Sequence, residues 1–125
     1  MTTQQKPDYD AIAIGAGFAG LALIHYLREA GQSIRVFDRA SDIGGTWTWN
    51  RYPGAMTDSE SYYYCLTFSR ELLQEWSWTA RYPDWKETHN YMHFVADKCD
   101  MCRDIQLNTE IVSEEYQADS GHWLV

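Results

Sequence analysis

Three glycines stand in Gly15-Ala16-Gly17-Phe18-Ala19-Gly20 at the spacing that a backbone cradle for a pyrophosphate requires. Gly15 permits a tight turn off a strand, Gly17 lets backbone approach phosphate oxygens without a Cβ in the way, and Gly20 allows a helix to pack closely on that strand. Phe18 and Ala19 would open the helix, whose free N–H groups meet the phosphate charge. Asp38 follows 18 residues beyond Gly20, where a carboxylate can accept from both ribose hydroxyls of an adenosine. That favours FAD or NAD and disfavours NADP at this site, because a 2′-phosphate would meet like charge. Arg39 has two readings: it softens that repulsion, or it is an exposed ion-pairing side chain.

A second group of residues is Gly44-Gly45-Thr46-Trp47-Thr48-Trp49-Asn50-Arg51-Tyr52-Pro53-Gly54, followed by Asp58 and Ser61. Paired tryptophans offer flat, apolar, hydrogen-bond-donating walls suited to an isoalloxazine ring, and Pro53-Gly54 supplies a rigid turn to hold them. Trp47, Trp49 and Tyr52 also fit a small satellite core under the loop, and spacing leaves both readings open. A third group, His89, His93, Cys99 and Cys102, resembles a zinc set on paper. All four fall on one predicted helix across about four turns. That is too spread to converge on a tetrahedral ion, so no metal is expected.

The elements that must position these groups follow from the pattern. Residues 9–14 have the length of a buried parallel strand, residues 18–30 carry Leu21, Ile24 and Leu27 at helical spacing with Gly31 as a left-handed cap, and residues 33–37 read as a second strand. Strand, helix and strand form a βαβ unit, and the fold class is α/β, a Rossmann-like dinucleotide-binding fold. Residues 41–61 read as ordered, functional loop. A short helix is predicted over 69–76 with Ser69 as N-cap, and a longer one from Asp84 to about Cys102, with Asp84 and Glu87 as a capping box. Residues 105–108 and 111–117 look like strands, the second turning through Asp119-Ser120-Gly121 into a strand at Trp123.

The 125 residues carry a formal charge of −8, and no basic run appears. Nucleic acid and anionic membrane are therefore not expected partners. Three cysteines are an odd number, which fits reduced thiols and a soluble, cytoplasmic protein. The chain stops on the apolar run Trp123-Leu124-Val125, as a fragment would.

The loop from Gly44 to Gly54 with Asp58 resembles the G-G-x-W-x-W-N-R-Y-P-G-x-x-x-D signature of Baeyer–Villiger monooxygenases. The likeness continues through Tyr64-Cys65, Glu75-Trp76, Arg81-Tyr82 and Phe94-Val95-Ala96-Asp97-Lys98. The resemblance implies that Gly45 and Thr46 to Trp49 line the flavin, that Tyr64 helps enclose it, and that Ile111 meets the adenine end through its backbone. It places Asp58 among the cofactor-binding residues, close to the isoalloxazine, and gives it a catalytic part, tuning or orienting an arginine that keeps a flavin C4a-peroxide anionic. It implies FAD in this chain, NADPH as reductant, and O2 and a ketone as substrates, the ketone leaving as an ester or lactone. Asp38 stands where glutamate is commoner in the family. Residues 1–125 correspond by this likeness to the N-terminal portion of an FAD-binding domain. The catalytic arginine, the rest of that domain, the NADP-binding domain and the family's F-x-G-x-x-x-H-x-x-x-W segment are not in the chain. Alone it is expected to be inactive, with the missing C-terminal part as its partner. A stand-alone nucleotide-binding module is the alternative.

Overall fold

The structure, a computed structural model, describes residues 6–125. β1 (Ala11–Ile14), α1 (Phe18–Glu29) and β2 (Ile34–Phe37) form the expected strand, helix and strand, and β3 (Ile105–Gln106) completes a three-stranded sheet in the order β1-β2-β3. Both pairings are parallel, with Ile14 opposite Phe37 and Val36 opposite Ile105. β1 begins later than expected because Asp10 turns its side chain onto Ser33. The Asp10 carboxylate accepts from the Ser33 amide at 2.8 Å and its hydroxyl at 2.7 Å, so local polar bonds replace ladder bonds there. α1 ends where Gly31 adopts φ +72°, and the Gln32 amide reaches back to the Leu27 carbonyl at 2.8 Å.

The core lies where Ala13, Ile34 and Val36 of the sheet meet Leu21 and Ile24 of α1 and Tyr91, Met92, Val95 and Met101 from further along the chain. Strand alternation turns Ile12 and Ile14 the other way, and they are 40% and 56% exposed. β1 is therefore buried on one face only, not on both as a parallel strand was expected to be.

The loop over residues 41–61 contains one turn of helix, α2 (Thr46–Trp49), and leads into a 3₁₀ turn at Ser61–Tyr64. α3 (Arg70–Glu75) has the expected cap, Ser69 accepting from the Leu72 amide. α4 (Trp85–Lys98) is capped by Asp84, which accepts from the Glu87 amide at 2.8 Å. The capping box is only half formed, since the Glu87 carboxylate accepts instead from the Thr79 amide and hydroxyl. α4 also stops at Lys98 rather than near Cys102. Asp100 turns to φ +48°, Met101 drops into the core, and Arg28 of α1 donates to the carbonyls of Cys99 (2.8 Å) and Asp100 (2.7 Å).

Of residues 111–117, only β4 (Glu115–Gln117) is strand. It pairs antiparallel with β5 (His122–Leu124), the hairpin expected around Gly121. No described helix is long and apolar enough to cross a membrane.

Candidate functional site

The site is built around Ala16, a wholly buried residue between the first two glycines. Its amide donates to Asp38 Oδ2 at 2.7 Å, and its carbonyl accepts from the Gly44 amide at 2.9 Å. One residue thus ties the end of β1, the end of β2 and the second glycine loop together. The other Asp38 oxygen accepts from the Ala40 amide at 2.8 Å, and the Asp38 backbone is held by Gln106 and Thr109. Asp38 is thereby fixed at the mouth of the β1–α1 turn, its carboxylate retaining lone pairs for a further donor.

The glycines allow this interlock. A Cβ on Gly20 would collide with the Gly15 carbonyl oxygen, so α1 could not sit this close to β1. At Gly45, with φ +55°, a Cβ would fall 3.1 Å from the Gly17 Cα. The two glycine loops therefore meet backbone to backbone, which leaves amides rather than side chains facing the open space.

Two grooves run from this junction. One, of about 560 Å³, is lined by Gly15, Gly17, Phe18, Ala19, Gly20, Gly45, Thr46, Trp47 and Tyr64, together with Ala13, Ile14, Leu23 and Gly44. The other, of about 480 Å³, is lined by Asp38, Arg39, Trp49, Ile111 and Glu110, and shares Ile14, Gly15, Gly45 and Thr46 with the first. Their shared wall is the Gly15–Gly45 region beside the start of α1, whose first turn carries no acidic side chain to repel an anion.

The two tryptophans separate across this wall. Trp47 is 8% exposed and meets Tyr64 edge to face at 5.9 Å in the first groove; Tyr64 in turn meets Phe18 at 5.4 Å. Trp47 also belongs to the main core rather than to a satellite one under the loop. Trp49 is 58% exposed in the second groove, with the Arg39 guanidinium 5.4 Å from its ring centroid. Arg39 also pairs with Glu110 at 3.7 Å, so it is an exposed ion-pairing side chain as well as part of the groove. Asp58 is exposed and lines neither groove. Tyr52 is exposed too.

Sequence reasoning missed Ala16, Ile14 and Leu23, because backbone amides and plain aliphatics leave no motif, and Glu110, because only the fold brings it against Arg39, 71 residues away in sequence. It also missed Asp42, which lies against His89 and His93. Its only signal was its place two residues before the Gly44-Gly45 pair.

Residues 14–91 match the family described as NAD(P)-binding Rossmann-like domain. The acetone monooxygenase (methyl acetate-forming) of Gordonia sp. (strain TY-5) is 48% identical over 114 residues, covering 91% of this chain and 21% of its own length. A Baeyer-Villiger monooxygenase of Pseudooceanicola batsensis is 47% identical over 119 residues, covering 94% of this chain and 22% of its own. Among solved structures, an oxidized steroid monooxygenase bound to NADP superposes with a TM-score of 0.89 at 44% identity, over 92% of this chain and 22% of that one. The chain spans about a fifth of the length of the curated relatives it matches.

Proposed function

The chain belongs to the NAD(P)-binding Rossmann-like domain family and has Baeyer–Villiger monooxygenases among its homologues, and we propose from this that it holds FAD for a monooxygenase using NADPH and O2 to convert ketones to esters or lactones. The observation that carries the reading is the pair of grooves meeting at the Gly15–Gly45 wall. A dinucleotide has that shape: two flat groups joined by a charged, narrow middle.

The residues fit the group. Gly15, Gly17, Phe18, Ala19 and Gly20 would hold the pyrophosphate by backbone amides at the start of α1. Asp38, Arg39 and Ile111 would hold the adenosine, and the buried Asp38 carboxylate opposes a 2′-phosphate there. Gly45, Thr46, Trp47 and Tyr64 would face the isoalloxazine, while Trp49 falls on the adenosine side. Bound FAD, reduced by NADPH, supplies the electrons that activate O2 for insertion of one oxygen atom beside a carbonyl. The Gordonia relative is described as methyl acetate-forming, a ketone-to-ester conversion that supports the reaction class. We assign to Asp58 the orientation of an arginine from outside this chain, in keeping with its exposure.

Titrating the purified chain with FAD, and following flavin fluorescence, tests the reading. Saturable binding that ADP competes away is expected, and Gly17→Leu should weaken it about tenfold or more by crowding the phosphates. Equal affinity in Gly17→Leu, or binding of NADP⁺ in preference to FAD, would sink it. Asp58→Ala should leave FAD affinity unchanged and slow oxygenation in a turnover-competent protein; an unaltered rate removes its assigned role.

A further inference from the structure

We propose that Asp42, His89 and His93 form a binding site for a divalent late first-row transition metal, zinc being the reference ion, with one coordination position left to water. The three side chains come from the loop before Gly44 and from one face of α4. Their ligand atoms all lie within 4.8 Å of one another. His89 Nε2 is 3.1 Å from Asp42 Oδ2, and His93 Nε2 is 2.9 Å from Asp42 Oδ1. Ligands around a tetrahedral ion, with bonds of about 2.0–2.1 Å, stand about 3.3 Å apart. The two imidazole-to-carboxylate separations fall within a few tenths of an ångström of that spacing, each to a different Asp42 oxygen, and the whole set stays within 4.8 Å, so a small side-chain adjustment would close it on an ion.

A second observation points to a ligand. His89 Nε2 is buried and forms no hydrogen bond among the described residues, facing the Asp42 carboxylate at 3.1 Å. A buried ring nitrogen without a hydrogen bond is costly unless an ion pair or a ligand engages it. The ring lies so close to Gly44 that a Cβ there would come within 2.7 Å of its Cδ2, so the packing of this loop fixes its orientation. Two imidazoles and one carboxylate suit zinc, nickel or copper better than the oxygen-seeking magnesium or calcium. A metal here would staple α4 to the loop whose Gly44 amide holds Ala16, without entering either groove.

This set differs from the helix-borne one that the sequence suggests: Asp42 takes the place of the two cysteines, and the ligands converge because two elements supply them. The test uses zinc alone. The purified chain, stripped with a chelator, is dialysed against Zn²⁺ and the bound metal is counted. A chain carrying Cys99→Ser and Cys102→Ser is run beside it, because thiols bind zinc on their own. One ion per chain is expected in both. His93→Ala and Asp42→Asn should each weaken binding about tenfold or more with circular dichroism unchanged, since both residues lie at the margin of the core. Absence of stoichiometric binding overturns the proposal, as does binding that survives His93→Ala but is lost with the cysteines. Neither result bears on FAD.

Discussion

Asp38 commits both carboxylate oxygens to backbone amides, those of Ala16 and Ala40, before any ligand is considered. It therefore holds the glycine loop in shape first, and contact with a ribose would be added to that. Asp38→Ala leaves two buried N–H groups without acceptors, at about 1–3 kcal/mol each. The urea midpoint of the ligand-free chain should fall accordingly, and Asp38→Asn should restore part of the loss, because an amide oxygen still accepts one bond. A residue that served only a bound nucleotide would leave that midpoint unmoved. The glycines were legible in the sequence because each acts locally, Gly15 turning at φ +105° and Gly20 leaving room for the Gly15 carbonyl. The partner of Asp38 was not, since the Ala16 amide is a backbone group 22 residues away that no side-chain pattern reports.

Where α3 and α4 begin was legible for the same reason that the glycines were, whereas the uncapped turn of α2 and the end of α4 were not. Ser69 and Asp84 bond amides three residues on, so the sequence carries both partners side by side. The end of α4 is set by Arg28, which reaches across from α1 to the Cys99 and Asp100 carbonyls and to Asp104. The apolar spacing continues through Met101, which made the helix look longer than it is. Arg28→Ala should cost about 2–4 kcal/mol, because it strips carbonyls at a partly buried helix end and leaves Asp104 unpaired. Hydrogen exchange should then quicken at Cys99–Met101 more than in the first turns of α4. Uniform loss of protection would instead mean that Arg28 supports the fold generally, not this helix end. Arg28→Lys should rescue little, because one ammonium cannot span all three acceptors.

At the scale of the whole molecule, an aromatic chain runs from Trp78 through Tyr91 and Phe18 to Tyr64 and Trp47 in the first groove. Tyr91 is its buried centre and accepts from the Leu66 amide at 2.7 Å. Burial pushes its hydroxyl up from 10.0 to about 12, so the folded state keeps that proton longer than the unfolded chain does. The resulting stability is fully present below pH 10.0 and is lost as pH rises toward about 12. The urea midpoint should fall across that window, and less steeply in Tyr91→Phe; parallel curves would show that another group drives alkaline unfolding. Among the described residues, the opposite face of the sheet has no such packing. β1 is an edge strand, Ile12 and Ile14 stand exposed on it, and Ile12 shares a groove with Trp123 and Val125. An apolar face beside an open edge favours self-association, while the net charge of −8 opposes it. Salt decides between them, because the Debye length shrinks from about 8 Å at physiological ionic strength to about 3 Å at 1 M, screening the charge and leaving the apolar face intact. Sedimentation should therefore show the chain associating more strongly as salt is raised, and Ile12→Thr combined with Trp123→Ser should suppress the rise. Association that weakened with salt would place the contact on charged residues instead, and a monomer at every ionic strength would mean that the β4–β5 hairpin shields this face well enough by itself.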